Sequence, residues 1–318
     1  MSTRQVDSFL EWVTVRPASA VRWLALVPIY IFAMIMGAVL AAPLQLVLPD
    51  TKLGNLVAVL AGFPGTLILL AGLASLVLWR PAWMFVARWR RPEWDMFLKG
   101  AAIQFLCMAI GMLAFELTGI VEINYPRPDF ALLLATVPVA LVGFLIQAGA
   151  EEFAFRGVFQ QLAFRFTTIP IIVIGIQALG FASLHVNNID ELGGGWLGLA
   201  PFIATASLWG WFAWRTGAIW FGLGMHWANN SFLILAIGSH DDLLEAVSGL
   251  SFIYAHPTAG SVAAADISGT LFAGVVAWWL VLRHIPSRGN VARARRRGRP
   301  TDDMALTTSD QGDQVGPR

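Results

Sequence analysis

The stretch Glu151-Glu152-Phe153-Ala154-Phe155-Arg156 closes a run, residues 130–150, whose one strongly polar member is Gln147, and residues 157–166 beyond it are again mostly apolar. Charges in such surroundings need a reason, because one ionised side chain inside a bilayer costs roughly 3 kcal/mol even on lenient insertion scales. On a helix Glu152 and Arg156 are i,i+4 partners on one face, in the favourable acid-before-base order. Glu151 is rotated by about 100° from Glu152, so that pair does not consume it. One carboxylate is left for chemistry.

Working outward, the 318 residues are 57% hydrophobic and only 13% charged. A soluble domain carries about 25% charged residues, so the composition predicts an integral membrane protein. The net charge of +1 hides an asymmetry: residues 283–299 are heavily basic, whereas 238–267 contain no Lys or Arg. The single cysteine, Cys107, lies in an apolar run and reads as a small core residue. Residues 1–20 lack the pattern of a cleavable signal peptide, and the first hydrophobic run is long enough to serve as an uncleaved anchor.

The fold class expected is all-α, a polytopic transmembrane bundle of about eight spans around a polar catalytic cavity. The spans fall near 23–48, 55–79, 97–119, 130–166, 169–186, 199–214, 218–237 and 267–282. Five regions follow: an N-terminal cytoplasmic or interfacial segment (1–22), N-terminal membrane helices (23–129), a catalytic membrane core (130–237), an outer loop with the last helix (238–283), and a basic then disordered tail (284–318). Residues 5–15 alternate at a loose helical period and read as lying along the membrane surface. Tryptophans interleaved with arginines at 80–92 read as a headgroup-level connection rather than a nucleic-acid site. Arg80, Arg88, Arg90, Arg91, Lys99, Arg156, Arg165, Arg215 and the basic tail fall on one side, whereas Lys52, Arg127, Asp190, Glu191, Asp241 and Asp242 fall on the other. By the positive-inside rule both termini are cytoplasmic, in the cell membrane. The basic segment is expected to touch anionic lipid.

Two further spans carry polar residues at helical spacing. The fifth holds Phe181-Ala182-Ser183-Leu184-His185 with Asn187 and Asn188 after it. The seventh holds His226-Trp227-Ala228-Asn229-Asn230, which sets His226 and Asn230 one turn apart on one face. A carboxylate, two histidines and an amide are the parts needed to hydrolyse an amide bond. A Glu, alone or with a His, takes a proton from water, while a second His and an Asn donate to the developing oxyanion. The same set suits a divalent metal such as zinc, with Glu151, His185 and His226 as candidate ligands. Residue types alone do not separate a metal-activated from a carboxylate-activated water.

The order Glu-Glu-x-x-x-Arg, Phe-x-x-x-His, His-x-x-x-Asn, each in its own span, resembles the CPBP family of intramembrane proteases, which takes in CAAX prenyl endopeptidases and bacteriocin-processing or Abi-type proteins. The motifs fall at Glu151, Glu152 and Arg156, at Phe181 and His185, and at His226 and Asn230, within roughly residues 133–237. The resemblance implies hydrolysis of a membrane-associated peptide or protein substrate. It implies Glu151 and His185 as the water-activating pair, and His226 and Asn230 as oxyanion-side or metal-side groups. Glu152 and Arg156 would form an ion pair that orients Glu151. The family has been described both as metalloproteases and as metal-independent glutamate-type proteases.

Other readings compete. Glu152–Arg156 is also what a purely structural buried ion pair looks like, Asn230 can serve as helix–helix glue, and Phe181 reads as packing. A catalytically silent scaffold or immunity protein would share the fold, and a small transporter would use the polar cluster to bind an ion, though no internal repeat supports that. Helix rise places His185 about 25 Å and His226 about 12 Å from their spans' starts. A shared site therefore asks for a tilted helix, a later start to span five, or a break at Gly175 or Gly180.

Overall fold

A backbone in lipid must satisfy its own hydrogen bonds, so long apolar runs become helices. The computed structural model of this chain describes residues 6, 8–119, 121–124, 130–186, 195–236, 251–254 and 259–285. Its longer helices are α1 (Ala20–Val47, jointed at Ala25), α2 (Leu53–Leu78), α3 (Trp94–Leu117), α4 (Phe130–Phe166), α5 (Pro170–Ser183), α6 (Gly195–Thr216), α7 (Trp220–Ala236) and α8 (Ala259–Leu280). Five of these, α1 to α4 and α6, are long and apolar enough to cross a membrane, and α5 and part of α8 are shorter apolar helices. They make this an integral membrane protein. The helical expectation has one exception among the described residues, a short antiparallel pair of β1 (Val121–Asn124) and β2 (Ser251–Tyr254), with Val121 opposite Tyr254. Asn187, Asn188, Asp190, Glu191, Arg127, Asp241, Asp242 and the tail from 286 lie outside the described residues.

Glycines set the closest helix contacts, as is usual where lipid supplies no hydrophobic drive between helices. Helices α3 and α7 run parallel, Trp94 meeting Trp220 and Phe105 meeting Phe232, with Gly100 against the Phe221 carbonyl and Gly224 against the Phe97 carbonyl, so that a Cβ at either position would collide with backbone. Gly100→Val should therefore cost roughly 1–3 kcal/mol through overpacking. Thermal unfolding in detergent measures it, and an unchanged midpoint would show that this approach is not needed. Helices α6 and α8 are also parallel, joined by Thr205 and Thr270 at 2.9 Å and by Trp211 and Trp278 at 5.6 Å between ring centroids. Helix α7 runs antiparallel to α4: His226 meets Glu152, Asn230 meets Gln147, and Ile234 shares a cluster with Ala140. Between α6 and α7 the chain reverses at Gly217, whose φ of 80° favours glycine, while Thr216 Oγ1 donates to the Phe212 or Ala218 carbonyl, each 2.8 Å away.

In the segment expected along the membrane surface, the apolar side chains from Phe9 to Val13 turn toward protein. Phe9 and Leu10 are fully buried and Trp12 and Val13 nearly so, in a 3₁₀ turn (Phe9–Glu11) and one helical turn (Trp12–Val15). The Phe9 amide donates to the Gly217 carbonyl at 2.9 Å, and Trp12 Nε1 donates to the Ala87 carbonyl at 3.1 Å. Gln161 Nε2 donates to the carbonyls of Phe9 and Met84, and the Arg80 guanidinium lies 5.0 Å from the Trp23 ring and reaches the Arg16 carbonyl. The apolar side chains of this segment find protein pockets to fill, which bury them more fully than a membrane surface would. The 80–92 connection divides likewise: Met84, Phe85 and Ala87 are buried, while Trp89 is exposed under Arg88.

Candidate active site

Helix α4 changes geometry at the acidic pair. It is α-helical through Glu152, π-helical over Phe153–Phe159, and α-helical again from Gln160. π-Helical insertions are rare and concentrate at functional sites. Here Gly157 lies against the Phe85 carbonyl, where a Cβ would stand 3.1 Å from the oxygen. Phe155 and Phe159 face Tyr30 at 5.6 and 5.2 Å. Every residue from Phe153 to Val158 is buried.

The two carboxylates have separate partners. Glu152 and Arg156 have fully buried side chains, with Arg156 Nη1 3.1 Å from Glu152 Oε1. That oxygen also lies 3.0 Å from His226 Nδ1. Glu151, whose side chain is 13% exposed, places Oε2 3.4 Å from His226 Nε2. His226 therefore stands between the two acids, and Glu152 orients this histidine directly. Trp209 stacks on the His226 ring at 4.2 Å, and Phe181 meets it edge-on at 6.0 Å. The Arg156 guanidinium lies 4.7 Å from the Phe181 ring centroid and 5.3 Å from that of Trp209. Two aromatic faces thus supplement a single ion pair in holding a fully buried cation.

Glu151 Oε1 accepts from Gln147 Nε2 at 2.6 Å, and Gln147 Oε1 accepts from Asn230 Nδ2 at 2.8 Å. Asn230 Oδ1 accepts from Asn229 Nδ2 at 3.2 Å, and Asn229 Oδ1 accepts from Gln104 Nε2 at 3.1 Å. The site residues on α4 and α7 are thus joined into one polar chain that α3 completes.

His185 stands apart from this chain. It follows the end of α5, half-buried, with Nδ1 2.9 Å from the Phe181 carbonyl oxygen. Its ring stacks on Phe181 and on Phe202, each at 4.5 Å. It makes no hydrogen bond or ion pair to Glu151 among the described residues. Phe181 touches His185, His226 and Arg156, which makes it the link between the motifs as well as packing. Helix α5 is unbroken through Gly175 and Gly180, so no break aligns the histidines. The level of His226 is met by Phe181, and His185 lies one turn beyond.

Trp209, Phe202 and Gln104 are site residues outside the three sequence motifs. A polar Gln104 within the apolar α3 is the one sequence signal that could have pointed to any of them. Among the described residues no three His, Cys, Asp or Glu side chains are grouped as a metal site needs. His226 presents Nε2 to Glu151 while His185 is stacked between Phe181 and Phe202, so Glu151, His185 and His226 are not gathered around one point in this arrangement.

Residues 133–232 match the family model described as type II CAAX prenyl endopeptidase Rce1-like. The chain is 28% identical over 195 residues to YyaK of Bacillus subtilis (strain 168), an uncharacterized protein. That match spans 60% of this chain and 62% of the relative, so it covers less than two thirds of either. No solved structure matches the chain.

Proposed function

We propose that the protein is an intramembrane endopeptidase acting on a membrane-associated peptide or protein, a reading supported by the match of residues 133–232 to the type II CAAX prenyl endopeptidase Rce1-like model. The observation that carries this reading is the Glu151 carboxylate. Its side chain is partly open, with one oxygen bonded by Gln147 and the other buried 3.4 Å from His226 Nε2, while its neighbour Glu152 is fully buried and paired.

In the proposed reaction Glu151 takes a proton from water as the water oxygen attacks the scissile carbonyl carbon. The carbon–nitrogen bond then breaks, and the proton held on Glu151 passes to the departing amine. His226 donates toward the charge that develops on the carbonyl oxygen. His185 Nε2 has no protein partner among the described residues and supplies a second donor to substrate or water. Asn230 Nδ2 gives one hydrogen to Gln147 and has a second to offer on the oxyanion side.

Parallel α2 with α4, α3 with α7 and α6 with α8, and antiparallel α4 with α7, support eight alternating crossings. Both termini would then face the cytoplasm, with membrane lipid around the bundle and no role for nucleic acid.

The test is cleavage of fluorogenic peptides, farnesylated and plain, by protein in liposomes with and without a chelator. Cleavage should survive chelation. Loss on chelation with recovery on added zinc would overturn the metal-free step and recruit Glu151 and His226 as ligands. A preference for the farnesylated peptide would place the substrate among prenylated C-termini, and equal rates would widen it to unmodified membrane peptides.

A further inference from the structure

Four carboxamides stand in series behind Glu151. Gln104 donates to Asn229, Asn229 to Asn230, Asn230 to Gln147, and Gln147 to the carboxylate, over distances of 3.1, 3.2, 2.8 and 2.6 Å. A carboxamide has one donor end and one acceptor end. A carboxylate has acceptors only, so it fixes the direction of the first amide, and each amide fixes the next. Turning Gln147 over would set its carbonyl against Glu151 Oε1 and its amide against that of Asn230, losing two bonds at once. The chain is anchored on three helices, because Gln104 is on α3, Asn229 and Asn230 on α7, and Gln147 one turn before Glu151 on α4. The close glycine contacts between α3 and α7 hold the far end in reach.

We propose that Gln147 is a positioning residue for the Glu151 carboxylate, held in the donating orientation by Asn230, Asn229 and Gln104. This rests on the protease reading given above and names what aims its base. With Oε1 bonded to Gln147, Oε2 is turned inward and lies buried beside His226, so the carboxylate is held in one orientation. An unheld glutamate would sample several rotamers, and hydrogen bonds in series polarise and strengthen one another. Asn230 thereby acts on Glu151 through Gln147 as well as on the oxyanion side.

Gln147→Met keeps the size of the side chain and removes both hydrogen bonds. Its kcat should fall about 10- to 100-fold, the factor that one lost hydrogen bond to a charged group corresponds to. KM should stay within about twofold, because the interaction serves the chemical step rather than substrate binding. Combined with Asn230→Ala, the loss should be less than the product of the two single losses. A second readout is independent of cleavage: labelling of Glu151 by dicyclohexylcarbodiimide, followed by mass spectrometry. Losing its donor frees the carboxyl to leave its buried rotamer and meet the reagent, so labelling should be faster in Gln147→Met than in wild type. Wild-type kcat, a loss confined to KM, or unchanged labelling overturns the inference while leaving Glu151 as the base. If no peptide is cleaved by wild type, the protease reading is what fails, and labelling alone decides the role of Gln147. Should Gln147→Met lose the fold, Gln147→Glu carries the same tests, since it still accepts from Asn230 and when ionised cannot donate to Glu151.

Discussion

Glu151→Gln should lower peptide cleavage by about 10²–10⁴-fold, the contribution of a positioned general base, without lowering the unfolding temperature. The substitution is isosteric. Its carbonyl can still accept from Gln147 and its amide can still lie toward His226, so the polar chain persists while the group that takes the proton is gone. The neighbour gives the contrast. Glu152→Gln removes charge from a fully buried pair with Arg156 and from the contact that orients His226, so it should lose stability and activity together. Kinetics and unfolding measured on the same two proteins separate the roles that two adjacent acids play. Cleavage at the wild-type rate by Glu151→Gln would remove this carboxylate from the reaction.

The largest stability effect is expected at Arg156. Its guanidinium is fully buried, paired with Glu152, near the faces of Phe181 and Trp209, and 3.5 Å from the Ala206 carbonyl through Nη2. Arg156→Met leaves Glu152 without its cation beside a second carboxylate, and breaking a buried pair from one side costs roughly 3–5 kcal/mol. The double variant Arg156→Met with Glu152→Gln removes both charges, and should recover part of that loss because no uncompensated ion remains. Denaturant unfolding in detergent, arranged as a double-mutant cycle, measures the coupling. If the double variant is as unstable as the sum of the singles, the pair is not what holds α4, and the aromatic contacts of Arg156 are. The expectation for activity is different: the double variant should remain impaired, because His226 has lost the acid that fixes its ring.

Much of this arrangement is legible along the chain because its signals are local. An acid and a base four apart share a helix face, His226 and Asn230 fall on one face for the same reason, and apolar runs in lipid have no alternative to helix. Residue 151 stands about 100° around the helix from residue 152 whatever packs on it, so one acid paired and one free could be expected before any fold was known. The membrane character, the helical class, the burial of Cys107 and the pairing of Glu152 with Arg156 follow from such periodicity and composition.

Which helices meet is not a local property. The family resemblance implied Glu151 paired with His185, whereas the antiparallel register of α7 on α4 brings His226 to both acids and leaves His185 one turn beyond Phe181. Residues 5–15 have the periodicity of a surface segment, yet Val6, Phe9, Leu10 and Trp12 are buried in a cluster with Met84, Ala213 and Ile219. Trp209 and Gln104 carry no motif and enter the site only because α6 and α3 pack beside α7. Sequence by itself determined the helices and the chemistry each face could offer, since hydrogen bonding in lipid and helical periodicity act within one segment. The tertiary structure alone decided which faces share a site, because glycine contacts, π-helical geometry and register between helices depend on residues that lie far apart along the chain.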